Sequence, residues 1–137
     1  MLVVANHGLA EPELAERLQR NKPGSVEIRI VAPASPDSRL RQLADDIDEE
    51  RRAATARMET LLTTLQSADM GASGRVDDEA DPRSALADGL RQFAVDQVIL
   101  VRGNEHGWLE AAELAGELRR DGVEVTELNA GEGGPAA

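Results

Sequence analysis

Residues 96–107 read DQVILVRGNEHG, and this stretch decides the fold. Residues 97–101 form a continuous apolar run, followed by a polar loop with two glycines, which is typical of a strand buried on both faces. The start of the chain repeats the pattern, because Leu2-Val3-Val4-Ala5 is followed by Asn6-His7-Gly8. Two such runs predict the two central strands of a parallel sheet.

Strand and helix patterns alternate along the rest of the chain, which predicts right-handed crossovers between parallel strands. Three further strands are expected at residues 25–31, 72–78 (weakly) and 123–128, and helices at residues 11–20, about 38–66 with a weak turn at Glu50 and Arg51, 81–93 and 108–120. The second and fifth strands alternate apolar and polar residues, so they lie nearer the edges. The order 3-2-1-4-5 satisfies this, whereas the flavodoxin-type order 2-1-3-4-5 would centre the weak third strand. We therefore predict a single-domain, three-layer α/β/α fold over residues 1–128, with a flexible tail at residues 129–137.

Two local patterns in the helices carry further expectations. Asp81 and Pro82 are a typical helix start, with Asp as the cap and Pro at the first helical position. The acidic run at residues 45–50 is interpreted as the solvated face of the second helix rather than a metal site.

Composition narrows the classes of function. The chain has 137 residues, 41% of them hydrophobic and 1% aromatic, so Leu, Val, Ile and Ala build the core. A net charge of −11 disfavours nucleic acid and anionic membranes as partners. No cysteine is present, which excludes disulfides and thiol chemistry. With no secretion signal pattern and no membrane-length apolar stretch, a cytoplasmic location is expected.

The predicted strand order reverses direction between strands one and four, and ligands of open α/β sheets bind beyond the carboxyl ends of the strands at such a point. The loops there supply the candidate ligand-binding residues, which are Asn6, His7, Gly8, Arg102, Gly103, Asn104, His106 and Gly107.

Each of these residues also has an ordinary structural interpretation. The two histidines fit polar loop positions, ligand contacts or, least well, metal ligands, since no carboxylate at helical spacing joins them. Arg102 fits a surface ion pair better than an anion site. Trp108 fits packing better than stacking on a base. Gly8 and Gly103 are assigned to turns that need positive φ or close backbone approach.

The layout resembles the universal stress protein family across most of the chain. The resemblance rests on the opening LVVANHG, the long second helix, the segment GRVDDEADPRSALADGLRQFAVDQVILV and the loop after it. In that family V-x-x-G-D-P-x-x-x-I precedes D-x-I-V-M-G. Here Asp81-Pro82, Ala85-Leu86 and the run from Asp96 to Leu100 stand at those places.

The resemblance implies binding of ATP through G-x2-G-x9-G-[ST] after the fourth strand, but this chain departs from that motif. Its second glycine, Gly107, comes one residue late, and Gly116 is followed by Glu117 inside a predicted helix. A carboxylate there repels phosphate. The family's nucleotide-contacting Asp after strand one is also replaced, and Asn6-His7-Gly8 stands there.

These features favour a non-catalytic, universal-stress-protein-like binding or regulatory protein with a degenerate nucleotide site. The alternative is a genuine adenine-nucleotide binder, with ATP or AMP and Mg²⁺ as cofactor. A phosphoryl- or acyl-transfer enzyme fits least, because no nucleophile, base and orienting group can be named and no catalytic residue is assigned. The resemblance also implies a homodimer through the fifth strand, from Val123 to Leu128, which would cover an exposed edge. The alternative is that the charged alternation of this strand protects the edge against pairing.

Overall fold

Strands and helices alternate in the order that the sequence predicts. The computed structural model describes residues 1–10, 12–20, 27–33, 44–77, 81–93, 95–103 and 107–129, apart from the side chains of His7 and of residues 44–48. The strands are β1 (Leu2–Val4), β2 (Ile28–Pro33), β3 (Ala72–Asp77), β4 (Gln97–Arg102) and β5 (Glu124–Asn129), and the helices are α1 (Pro12–Arg20), α2 (Ala44–Ser67), α3 (Pro82–Gln92) and α4 (Trp108–Arg120), with a 3-10 helix at His7–Ala10.

All strand pairs are parallel, and the sheet order β3-β2-β1-β4-β5 confirms the predicted topology. β1 is central and completely buried, with Val3 paired to Ile30 on one side and to Ile99 on the other. The unbroken apolar run of β1 follows from this position, because helices cover both of its faces.

The two faces of the sheet carry separate apolar cores. On one face, the α1/α2 face, alternate strand residues such as Val3 and Ile99 pack with Leu14 and Leu65. On the other, the α3/α4 face, their neighbours pack with residues of α3 and α4. Apolar burial of this kind supplies the main driving force for folding. The three-layer architecture is therefore confirmed.

The start of α3 confirms the predicted cap. Asp81 lies just before the helix, its side chain accepts a hydrogen bond from the backbone N–H of Ser84 at 2.8 Å, and Pro82 takes the first helical turn. This arrangement satisfies one of the free amides of the first turn.

Two details of the predicted elements are wrong. β2 extends to Pro33 rather than ending at residue 31, because its pairing with β3 continues as far as Pro33 opposite Asp77. α2 passes through Glu50 and Arg51 without a turn, since both are good helix formers and Glu50 has a tertiary partner on the sheet side. β5 ends at Asn129, and the tail beyond it lies outside the described residues.

The amino group of Met1 lies at the edge of the sheet opposite the predicted crevice. It donates a hydrogen bond to the backbone carbonyl of Glu27 at 3.0 Å. Burial lowers its pKa below the ordinary value, opposed by the negative charges of Asp96 and Glu27.

α2 ends in a left-handed turn at an aspartate. Asp69 has φ of 62°, and the backbone N–H of Met70 reaches the carbonyl of Leu65 at 3.0 Å, as in a Schellman motif. We expect Asp69→Gly to raise the free energy of unfolding by about 1 kcal/mol, because glycine removes the left-handed strain and a carboxylate from the negative end of the helix.

Urea denaturation checks this expectation, with Asp69→Asn as the control. Asparagine tolerates the left-handed conformation and removes the charge, so it isolates the electrostatic part. A glycine variant no more stable than the asparagine variant would contradict the conformational part.

Candidate functional site

The carboxyl ends of β1 and β4 meet where the sheet order reverses. Val4 pairs with Leu100, so Asn6 and Arg102 follow at equivalent positions beyond the last pair. This is the switch point at which open α/β sheets bind ligands. The described candidate residues there, however, turn away from one another.

Asn6 points toward β2 and α2 rather than into a crevice. It is 3% exposed, the only buried polar or charged residue among those the structure describes. Its side-chain Nδ2 donates to the carbonyl of Pro33 at 2.9 Å and to Oε1 of Glu50 at 3.3 Å. Both donors of the amide are therefore used inside the protein.

The oxygens of Asn6 are occupied as well. Arg57 donates from its guanidinium NH2 to Oδ1 of Asn6 at 2.5 Å and from Nε to the backbone carbonyl at 3.2 Å. The same carbonyl accepts from the N–H of Leu9 at 3.1 Å, which starts the 3-10 helix. We name Asn6, Glu50, Arg57 and the carbonyl of Pro33 the Asn6 cluster.

The charges of the Asn6 cluster balance each other. Arg57 lies 3.9 Å from Glu50, with side-chain exposures of 20% and 33%. A buried amide that is fully hydrogen-bonded avoids the cost of an unpaired polar group. The cluster thus ties the end of β1 to β2 and to α2, and it has the properties of a structural lock.

The sequence contained a signal for this lock that the interpretation of the acidic run missed. Glu50 and Arg57 are seven residues apart and lie on the same helical stripe as the buried Ala54, Leu61 and Leu65. Two opposite charges on an apolar stripe indicate a partly buried pair. The prediction that the acidic run is a solvated face is wrong for Glu50, because its carboxylate contacts Asn6 and Arg57.

Arg102 points the other way, toward β5. Its guanidinium lies 3.8 Å from a carboxylate oxygen of Glu127, and Arg119 of α4 contacts the second oxygen of that carboxylate at 3.0 Å. The surface ion pair predicted for Arg102 is therefore confirmed.

Gly107 is the N-cap of α4 and has φ of 100°. A Cβ at this position would lie 2.7 Å from Cδ of Pro82. Two separate features therefore require glycine at position 107, namely the left-handed backbone and the close approach of α3.

The remaining candidates divide between buried and undescribed positions. Gly8 is buried inside the 3-10 helix, a conformation with negative φ, so the positive-φ part of its prediction is wrong and the close backbone approach stays a prediction. Gly103 follows β4 and is half-buried. Asn104, His106 and the side chain of His7 lie outside the described residues, and their roles stay predictions.

Trp108 is 3% exposed and packs in the core of the α3/α4 face with Leu86 and Leu100. The packing interpretation is confirmed, and the ring is not placed to stack on a base. Among the described side chains, no group of three or more His, Asp or Glu residues could hold a metal ion. No helix in the described ranges is both long and apolar enough to cross a membrane.

Comparison with known proteins supports the fold. No family model matches the sequence. No curated protein matches it either. Among solved structures, the chain is similar to the crystal structure of a protein from the universal stress protein family from Burkholderia pseudomallei, with a TM-score of 0.60 and 14% sequence identity over 93% of this chain and 94% of that one. The chain therefore has the fold of a universal stress protein.

Proposed function

We propose that this chain is a universal-stress-protein-like binding or regulatory protein, without catalytic activity, whose nucleotide site between β1 and β4 is degenerate. The observation that carries the proposal is the engagement of Asn6. Asn6 opens the segment Asn6-His7-Gly8, where the resemblance places a nucleotide-contacting Asp, and its side-chain donors and acceptor are bonded within the Asn6 cluster.

The loop and helix after β4 support the same proposal. Gly107 has a structural reason for being glycine, since it packs on Pro82 in a left-handed conformation. Gly116 lies within α4 and Glu117 follows it, so no free amides are offered at that point and a carboxylate is added. Gly107 therefore fits helix packing better than a phosphate cradle, and Gly116 has no free amides to bind a phosphate.

A binding role agrees with the state of the charged groups near this edge of the sheet. Among the side chains that the structure describes there, the carboxylates of Glu50 and Glu127 are held in ion pairs with Arg57 and Arg102. A general acid or base must instead be free to exchange a proton with a substrate. This supports a protein that works by association rather than by proton transfer.

We further propose a homodimer through β5. This strand ends the sheet, and Val125 and Leu128 are only partly covered by their own chain. An exposed edge can pair with a second copy about a two-fold axis.

A nucleotide titration tests the degenerate site. We expect ATP or AMP at millimolar concentration, with Mg²⁺, to leave the melting temperature and the fluorescence of Trp108 unchanged. A ligand at a hundred times its Kd adds about 2.7 kcal/mol of stability, a rise of roughly 10 °C for a domain of this size. Mg²⁺ alone and adenosine are the controls.

A saturable rise at micromolar nucleotide would overturn the degenerate site and favour the adenine-nucleotide binder. One feature favours that alternative. α4 has no side-chain cap at its start, and helix N-termini bind anions through their backbone amides.

A further inference from the structure

The same type of turn precedes each of the two edge strands, β3 and β5. α2 leads into β3 and α4 leads into β5 through a left-handed residue, Asp69 or Gly122. In each turn the residue after it donates its N–H to a carbonyl five positions back, from Met70 to Leu65 and from Val123 to Leu118, both at 3.0 Å. These are Schellman motifs, and they fix how each helix end lies over the following strand.

The hydrogen bonds of β5 show which of its backbone groups face outward. The N–H of Glu124 donates to the carbonyl of Asp96, toward β4, at 3.1 Å. Because successive residues of a strand point their backbone groups to opposite sides, the groups of Val125, Glu127 and Asn129 face the open edge. These are the groups that an added strand would bond.

One of these outward carbonyls is already taken. Arg119, in the last turn of α4, donates from its guanidinium NH2 to the carbonyl of Val125 at 3.2 Å. β3 carries a weaker counterpart, since Gln66 in the last turn of α2 reaches the carbonyl of Ala72 at 3.4 Å. In both cases the side chain reaches a carbonyl six residues further along the chain.

The hydrogen bond from Arg119 to β5 is stronger than the one from Gln66 to β3. Arg119 is positively charged, and a second contact to Glu127 at 3.0 Å holds its guanidinium over the edge. Glu127 is itself 3.8 Å from Arg102, so three side chains on three elements fix the position. Charge-assisted hydrogen bonds are stronger than the neutral bond that Gln66 makes.

We propose that Arg119 is a latch on the β5 edge, which opposes pairing of this strand with a second copy of the chain. With the latch closed, the carbonyl of Val125 already accepts a hydrogen bond from Arg119, whose guanidinium stands in the way of a second strand at that position. Pairing that includes Val125 requires Arg119 to leave this carbonyl. The latch concerns the same edge as the proposed dimer, but its test does not require the unaltered chain to dimerise.

The test compares self-association of Arg119→Met and Arg120→Met with that of the unaltered chain. Methionine keeps most of the aliphatic stem and removes the donors, and both variants lose one positive charge. Arg120 is exposed and next in sequence, which makes it the matched control. Sedimentation velocity over a concentration series measures the dimer Kd, and circular dichroism shows whether each variant is folded.

Loss of the latch is expected to tighten self-association about tenfold in Arg119→Met and to leave Arg120→Met unchanged. Adding Val125→Pro should abolish the gain, because it removes an outward N–H without touching the bonds to β4. Equal behaviour of the two arginine variants, or a gain that survives Val125→Pro, would overturn the latch. An unaltered chain that stays monomeric at all concentrations would overturn only the proposed dimer.

Discussion

Replacing Asn6 with aspartate is expected to lower the free energy of unfolding at pH 7 by about 2 kcal/mol. The substitution restores the residue type that the family resemblance places after strand one. In this structure it exchanges a donor for an acceptor at an atom 2.9 Å from the carbonyl of Pro33 and 3.3 Å from a carboxylate oxygen of Glu50. Two acceptors would then face the new oxygen with no proton between them.

One interaction acts in the opposite direction. Arg57 already donates to Oδ1 of Asn6, and a charged acceptor there would strengthen that bond. Arg57 also lies 3.9 Å from Glu50, so its guanidinium would face both carboxylates. The repulsion between the carboxylates and the lost bond to Pro33 together outweigh the gain.

The pH dependence gives a second measure of the same variant. A carboxyl beside another carboxylate has its pKa raised above the unfolded value, so the carboxyl introduced by Asn6→Asp would hold a proton in the folded protein that the unfolded chain has released. The stability deficit should therefore grow as the pH rises from about 4 to 7 and shrink again on acidification.

Urea unfolding of a double-mutant cycle measures the effect. Glu50→Gln should recover about 1 kcal/mol or more of the loss caused by Asn6→Asp, because it removes the second carboxylate. Asn129→Asp, at an exposed position, is the control and should stay within about 0.5 kcal/mol of the unaltered chain. An Asn6→Asp variant as stable as the unaltered chain at pH 7 would show that the donor to Pro33 is not needed.

This variant also bears on function. If the Asn6 cluster is a structural lock, restoring the aspartate does not restore a nucleotide site, since its new carboxylate stays bound to Arg57. Asn6→Asp combined with Glu50→Gln is expected to remain unresponsive to ATP with Mg²⁺. The degenerate site is thus a property of the whole cluster rather than of one missing residue.

The fold could be predicted from local sequence patterns because its central strands differ chemically from its edge strands. β1 and β4 are apolar on both faces and can lie only in the middle of the sheet, which determined the order of strands. The start of α3 was readable because Asp81 and Pro82 act within one turn of the chain. Both signals are local and independent of long-range partners.

The orientation of the side chains at the candidate site could not be predicted in the same way, because their contacts are long-range. Asn6 is separated from Glu50 by 44 residues and from Arg57 by 51, so no spacing in the loop shows that its side chain turns toward α2. The topology correctly places Asn6 and Arg102 at one edge of the sheet. The topology does not show that the side chain of Asn6 bonds toward β2 whereas that of Arg102 pairs toward β5. The two side chains therefore point apart.

Replacing Gly107 with alanine is expected to lower the free energy of unfolding by about 3 kcal/mol, a larger loss than the one expected for Asn6→Asp. A non-glycine residue at φ of 100° costs about 1–2 kcal/mol. The new Cβ would also lie 2.7 Å from Cδ of Pro82, and this ring cannot move aside because it is part of the first turn of α3. Overpacking of this kind costs a further ~1–3 kcal/mol.

Gly116→Ala, within the helix that Gly107 caps, is the matched control. Apart from its own helix backbone, no described atom lies within 4 Å of a Cβ built there, and alanine is the better helix former, so this variant is expected to gain about 0.5–1 kcal/mol. The alanine substitutions at the N-cap and in the interior of α4 should therefore change stability in opposite directions.

Pro82→Ala separates the two causes of the loss at Gly107. In the Gly107→Ala background it relieves the contact with the ring but not the left-handed strain, so about half of the loss should return in urea denaturation. A Gly107→Ala variant as stable as Gly116→Ala would show that the glycine is not required for folding, and a role for it in ligand binding would then explain the residue better. The stability of this pair therefore decides whether the glycine at the start of α4 belongs to the packing of two helices or to a phosphate-binding loop.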